Sequence, residues 1–194
     1  MKHTDTSVAS IQSWLKRNID APRYRHTMGT YAVAMKLAKR HGANERKTAL
    51  AALLHDAGRM FFSPKAMIAY IREHGEALPA HRELSTGLLH AAASAAIARA
   101  VFGVRDRTVL DAIRRHTTGG KNMSLIAKII YIADVLDPSR GLPHTRGLLK
   151  KAMRDLNDAL IDTVRISIDY VMRQRIFLAP GSLEFYNSLI RSRR

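Results

Sequence analysis

Apolar residues return along this chain at intervals of three and four over almost its whole length, the period of one helical face. Runs that alternate apolar and polar, as half-buried strands do, are missing. Ser7 to Asn18 places Ile11, Trp14 and Leu15 on one side and reads as a first helix. Pro22 suits the first turn of a second, which runs to His41 and stops at Gly42. Asn44 caps a third, whose alanine-rich run passes through His55-Asp56 to Gly58. Ser63-Pro64 opens a fourth, ending near His74-Gly75. Beyond a loop at 76–84, a long helix spans Leu84 to Phe102 and another Arg105 to His116. The polar loop 117–122 leads to a helix from Ser124 to Leu136, broken by Asp137-Pro138-Ser139. Pro143 starts a short helix and Asp155 to Leu178 is a long one. Pro180-Gly181 precedes the last, which ends in Arg191-Ser192-Arg193-Arg194. The pattern predicts an all-α helical bundle, and the length suits one domain over 1–194 with a flanking helix at each end.

The apolar stripes are interrupted at particular places. His55 and Asp56 stand side by side at the end of the run Thr48–Ala57. His26 lies in line with Thr30, Val33 and Leu37, and His90 with Ala93 and Ile97. His116 follows Val109, Ala112 and Ile113, and Asp134 continues the stripe of Ile126 and Ile130. A polar side chain facing a core must be satisfied there. Any one of these histidines alone would be an ordinary hydrogen-bonded core residue. Together they form an ordered set of four imidazoles and two carboxylates, the composition of a metal site. One ion would use three or four of them. All six suit two ions with Asp56 as the bridge, since its neighbour His55 fixes it in place. Two ions so held clamp a phosphoryl group and supply a hydroxide nucleophile, which makes Asp56 the catalytic candidate that activates the metal-bound water. His41 and His74 lie at helix C-termini, where a cation is favoured, and His3, His81 and His144 lie in the N-terminal tail or in and beside loops.

Composition narrows the chemistry. The 194 residues include no cysteine, which excludes disulfides and thiolate metal sites. A metal held by His and Asp alone suits iron, manganese or zinc. The first residues hold no apolar signal core and no run has the length of a membrane span, so the expected location is the cytoplasm, with no membrane partner. Lys and Arg number 32 against 16 acids, a net charge of +16. Such a field attracts nucleotides, polyphosphates or RNA, and it also serves solubility. The apolar turns of the last two helices offer a contact to a second copy of the chain, a homodimer.

The local wording is more specific. The ordered set resembles that of the HD-domain phosphohydrolases, H…HD…H…H…D on a helical bundle. Arg23-Tyr24-Arg25-His26-Thr27-Met28-Gly29, Ala51-Ala52-Leu53-Leu54-His55-Asp56 and Leu88-Leu89-His90 resemble motifs of one subfamily, the YqeK-type symmetrical bis(5'-nucleosyl)-tetraphosphatases. So does the stretch from Ala112 through His116-Thr117-Thr118-Gly119 and Asn122-Met123-Ser124-Leu125 to Asp134. The resemblance covers about residues 20–175. It implies a di-iron hydrolase cleaving diadenosine tetraphosphate into two ADP. By position, His26, His55, Asp56 and Asp134 would hold one ion, and Asp56, His90 and His116 the other. Thr117, Thr118 and Gly119 would contact phosphate through hydroxyls and amides, and Arg140, Lys121 and Arg59 would reach it as cations. The chain departs from the family at Ala57-Gly58-Arg59, where Arg59 replaces a lysine, at Asp137-Pro138 for Glu-Pro, and in its basic charge. Two other readings fit the same residues: an HD-domain hydrolase acting on another nucleotide, and a non-enzymatic basic module that binds RNA.

Overall fold

Side-chain caps open most of the helices where the punctuation placed them. Ser7, Asp20, Asn44, Ser63, Ser124 and Asp155 each accept a hydrogen bond from a backbone N–H in the first turn that follows, satisfying a donor with no partner inside the helix. The structure, a computed structural model, describes residues 4–80, 85–141 and 145–192. Among these, all regular structure is helical: α1 (Val8–Asn18), α2 (Ala21–His41), α3 (Glu45–Leu54), α4 (Pro64–Glu73), α5 (Thr86–Ala100), α6 (Arg107–Arg115), α7 (Leu125–Val135), α8 (Thr145–Arg154), α9 (Leu156–Arg173) and α10 (Pro180–Arg191). Short 3-10 turns follow α3 (Ala57–Met60) and α7 (Pro138–Arg140). The helix starts expected at Leu84 and Pro143, and the last two arginines, lie outside the described residues. No helix among the described residues is long and apolar enough to cross a membrane.

α7 is the central helix. Seven of its eleven residues are buried, and it packs against α2, α3, α6 and α9. Ile11 and Leu15 of α1 and Phe185 of α10 join the same apolar core. α5 is buried without interruption from Leu89 to Ala98, covered by α4, α6 and the first 3-10 turn. Its alanines let those neighbours approach closely. At Gly58 the approach is closest: a Cβ there would lie 2.5 Å from the His90 carbonyl oxygen and 2.8 Å from the Ser94 nitrogen. The Gly58 N–H instead donates to Ser94 Oγ at 2.8 Å.

Two boundaries differ by four residues or more from the sequence expectation. α3 ends at Leu54, four residues short of Gly58. His55 keeps helical angles, Asp56 turns to φ −106° and ψ 11°, and the chain tightens into the 3-10 turn so that it can lie on α5. α9 ends at Arg173 instead of Leu178. There Arg175 adopts a left-handed conformation (φ 53°), and the Ile176 N–H reaches back to the Val171 carbonyl, a Schellman-type stop.

Candidate metal centre

Four imidazoles arrive at one point from four elements. His26 comes from the first turns of α2, His90 from the first turns of α5, and His55 and His116 from the residues that cap α3 and α6. Each Nδ1 is committed outward. Those of His55, His90 and His116 face the carbonyl oxygens of Ala52, Thr86 and Ile113 at 2.7, 3.2 and 2.7 Å, and that of His26 faces Asp137 Oδ2 at 2.8 Å. These contacts select the Nδ1–H tautomer and turn every Nε2 inward, the orientation of a metal-ligating histidine.

The inward atoms form two groups. His26 Nε2 lies 3.4 Å from His55 Nε2 and 2.8 Å from Asp134 Oδ1. His90 Nε2 and His116 Nε2 lie 2.8 Å apart. Asp56 stands between the groups and divides its carboxylate. Oδ2 faces His26 and His55 at 3.9 and 4.0 Å, and Oδ1 faces His90 and His116 at 3.2 and 3.6 Å. Potential ligand atoms of His26, His55 and Asp134, and of His55, Asp56 and His116, all fall within 4.8 Å of one another in each trio. With the Nδ1 protons committed elsewhere, Nε2 lone pairs face each other and carboxylate oxygens. Such a concentration of acceptors is stable around cations, so the residues present fit a bound metal.

Charge states agree. Burial, the largest influence, pushes His55 down to about 4, with Asp56 opposing. Burial and then the charge of Arg59 push His90 to about 4. Both are therefore neutral near pH 7, as a ligand must be. Burial alone would raise both carboxyl groups. For Asp56, His55 and then hydrogen bonds with His116 and His90 outweigh it, and for Asp134, Arg140 and then His26 do so. Both stay ionised, well below the usual carboxylate range. His26 differs: burial lowers its pKa, but the hydrogen bond and charge of Asp134 prevail and raise it.

A cleft of about 930 Å³ opens on this cluster. Asp56, His90, His116 and Asp134 form part of its floor, with Arg59, Arg140 and Thr117 beside them. Arg59 Nε sits 3.4 Å from Asp56 Oδ1, Arg140 Nη2 donates to Asp134 Oδ1 at 2.7 Å, and Thr117 Oγ1 lies 3.2 Å from His90 Nε2. The other three candidate phosphate contacts are not brought to the cluster. Thr118 lines a second cleft with Leu78 and Pro79. Gly119 has φ 69° and packs so closely on Phe185 that a Cβ would lie 2.0 Å from the ring. Lys121 is exposed, and its carbonyl accepts from Arg115.

Sequence reasoning missed Asp137, read there as a chain breaker. Its fully buried side chain takes the His26 Nδ1–H and also contacts the Ser139 N–H and hydroxyl. Gly29, one turn past His26, makes the space: a Cβ there would lie 1.8 Å from Asp137 Oδ1. That glycine in the His26 motif was the available signal.

A family model described as HD domain matches residues 23–139. The symmetrical bis(5'-nucleosyl)-tetraphosphatase of Bacillus subtilis (strain 168) is 36% identical over 177 residues, 91% of this chain and 94% of that one. The protein of the same description from Halalkalibacterium halodurans is 38% identical over 178 residues, 91% and 93% of the two chains. The crystal structure of a predicted HD superfamily hydrolase involved in NAD metabolism from Clostridium acetobutylicum superposes with a TM-score of 0.88 at 35% identity, covering 97% of this chain and 98% of that one.

Proposed function

The chain belongs to the HD-domain phosphohydrolases, and from that premise we propose that it splits diadenosine tetraphosphate symmetrically into two ADP. One observation carries the reading: the two oxygens of Asp56 face two separate pairs of histidines, a ligand field for two ions sharing one carboxylate. We assign His26, His55, Asp56 and Asp134 to one ion and Asp56, His90 and His116 to the other. Nitrogen and carboxylate ligands without thiolate suit iron, manganese or zinc, and among these the resemblance to di-iron hydrolases points to iron. The ions, when bound, supply neutralisation of phosphate charge and a water acidic enough to react near neutral pH.

The chain's own groups do the rest. Neutral His55 and His90 offer lone pairs without first losing a proton. Arg59 and Arg140 stand at the cleft floor, where each can turn from its carboxylate to a phosphate, and an arginine does so with two parallel donors. Thr117 Oγ1 is placed to hydrogen-bond a phosphate oxygen or the attacking water. Hydrolysis breaks the central P–O–P bridge: one ADP gains the hydroxyl oxygen and the other leaves with the bridging oxygen. On this reading the protein works in the cytoplasm.

Chromatographic identification of products tests the reaction. ADP alone is expected from diadenosine tetraphosphate. ATP with AMP would overturn symmetric cleavage. Inert diadenosine tetraphosphate with phosphate released from a mononucleotide would favour the other HD-domain reading.

A further inference from the structure

The cleft that opens on the metal cluster has two unlike walls. One is the polar floor. The other is apolar and comes from the end of α9 and the turn beyond it: Ile166, Tyr170, Val171, Ile176 and Phe177. Exposed large side chains gathered at one cleft, unlike ones scattered singly, mark a binding surface. Tyr170 is 59% exposed, Ile176 57% and Phe177 46%, and all three face this one cleft. The turn that presents them is built with some strain. Arg175 takes the left-handed conformation usually left to glycine, and the Ile176 N–H closes back onto the Val171 carbonyl. The turn thus brings Ile176 and Phe177 to the same cleft as Tyr170 in the last turn of α9.

We propose that Tyr170, Ile176 and Phe177 form a nucleobase platform on which one base of the substrate packs while its phosphates lie on the polar floor. The inference rests on the nucleotide reading above and assigns the residues that recognise its apolar end. A ligand with a polyanionic chain at one end and a flat apolar ring at the other matches the two walls. Aromatic faces hold any base by stacking, which gives affinity for nucleotides over bare phosphates without strong preference among bases.

The test compares ADP with inorganic pyrophosphate, which has the phosphates and no base. Calorimetric titration of the metal-loaded protein gives both affinities without requiring turnover. For the double variant Tyr170→Ala/Phe177→Ala, ADP binding is expected to weaken roughly tenfold or more while pyrophosphate binding stays unchanged. Tyr170→Phe should keep ADP affinity, which separates stacking from a hydroxyl contact. Equal losses for both ligands, or no loss for either, would overturn the platform. A fall in molar mass from dimer to monomer with ADP affinity intact would also overturn it, and would make the wall a contact between two copies of the chain. The result is independent of the reaction assigned above: a wild-type protein that binds ADP through this wall but leaves diadenosine tetraphosphate intact sinks the substrate and keeps the platform.

Discussion

Asp56 is the residue on which both halves of the centre depend. On the proposed assignment, Asp56→Ala removes a ligand from both ions at once and should lower kcat by well over 100-fold, since even partners that only orient a ligand are worth 10- to 100-fold. Asp137 is such a partner, through His26 Nδ1. Asp137→Ala should weaken metal binding about 10- to 100-fold, read by chelator competition, and Gly29→Ala should act in the same direction by displacing that carboxylate. The six ligand candidates were legible because each is polar on an apolar stripe, a local property. Asp137 lies in a turn with no period to betray it, and it meets His26 across 111 positions of chain. Protonation gives a further test. His55 and His90 fall from 6.5 unfolded to about 4 folded, so between those values the unfolded chain binds more protons and stability rises with pH. His26, raised in the fold, contributes in the opposite sense: its share is full below 6.5 and is lost as pH rises through its folded value. Denaturant unfolding of chelator-treated protein should therefore show stability dropping as pH falls from 6.5 to 4, by up to about 3 kcal/mol for each of the two buried histidines. A flat profile would mean that they do not stay neutral.

Helix ends do the positioning at the scale of elements. His55 and His116 cap α3 and α6, where a side chain can turn from the helix flank toward the cluster while its Nδ1 bonds a carbonyl of the last turn. Helix starts were readable because Ser, Asp and Asn caps act through neighbours three residues away. The end of α3 was not, because contact with α5 sets it: Gly58 lies against the His90 and Ser94 backbones, a meeting no local pattern announces. The departure from family wording at Ala57-Gly58-Arg59 thus falls at a packed crossing that also aims Arg59 at Asp56. Gly58→Ala should destabilise the fold by about 2 kcal/mol or more, since backbone must shift to admit the methyl group. Arg175→Gly should raise stability by about 1 kcal/mol by removing the left-handed penalty, visible as a higher Tm. A drop in Tm would show that the arginine side chain supports the turn.

The net charge of +16 belongs to the whole molecule. Many described acids are already paired with Lys or Arg, among them Glu76 with Arg114 and Asp162 with Lys151, and cations outnumber acids 32 to 16 over the chain. Its field should draw a polyanionic substrate toward the cleft. Raising salt from about 50 to 200 mM should lower kcat/KM and leave kcat nearly unchanged, because screening acts on encounter rather than on substrate already bound. The all-helical class was legible from the period of the apolar positions alone. The convergence of α2, α3, α5, α6 and α7 on one point was visible only through its consequence, the ordered His and Asp set. Whether that set holds two ions is the central claim, and the metal content of the protein purified without oxygen or chelators tests it most directly. Two equivalents per chain are predicted, iron foremost, falling sharply in Asp56→Ala. Metal near zero in the wild-type protein would contradict the account.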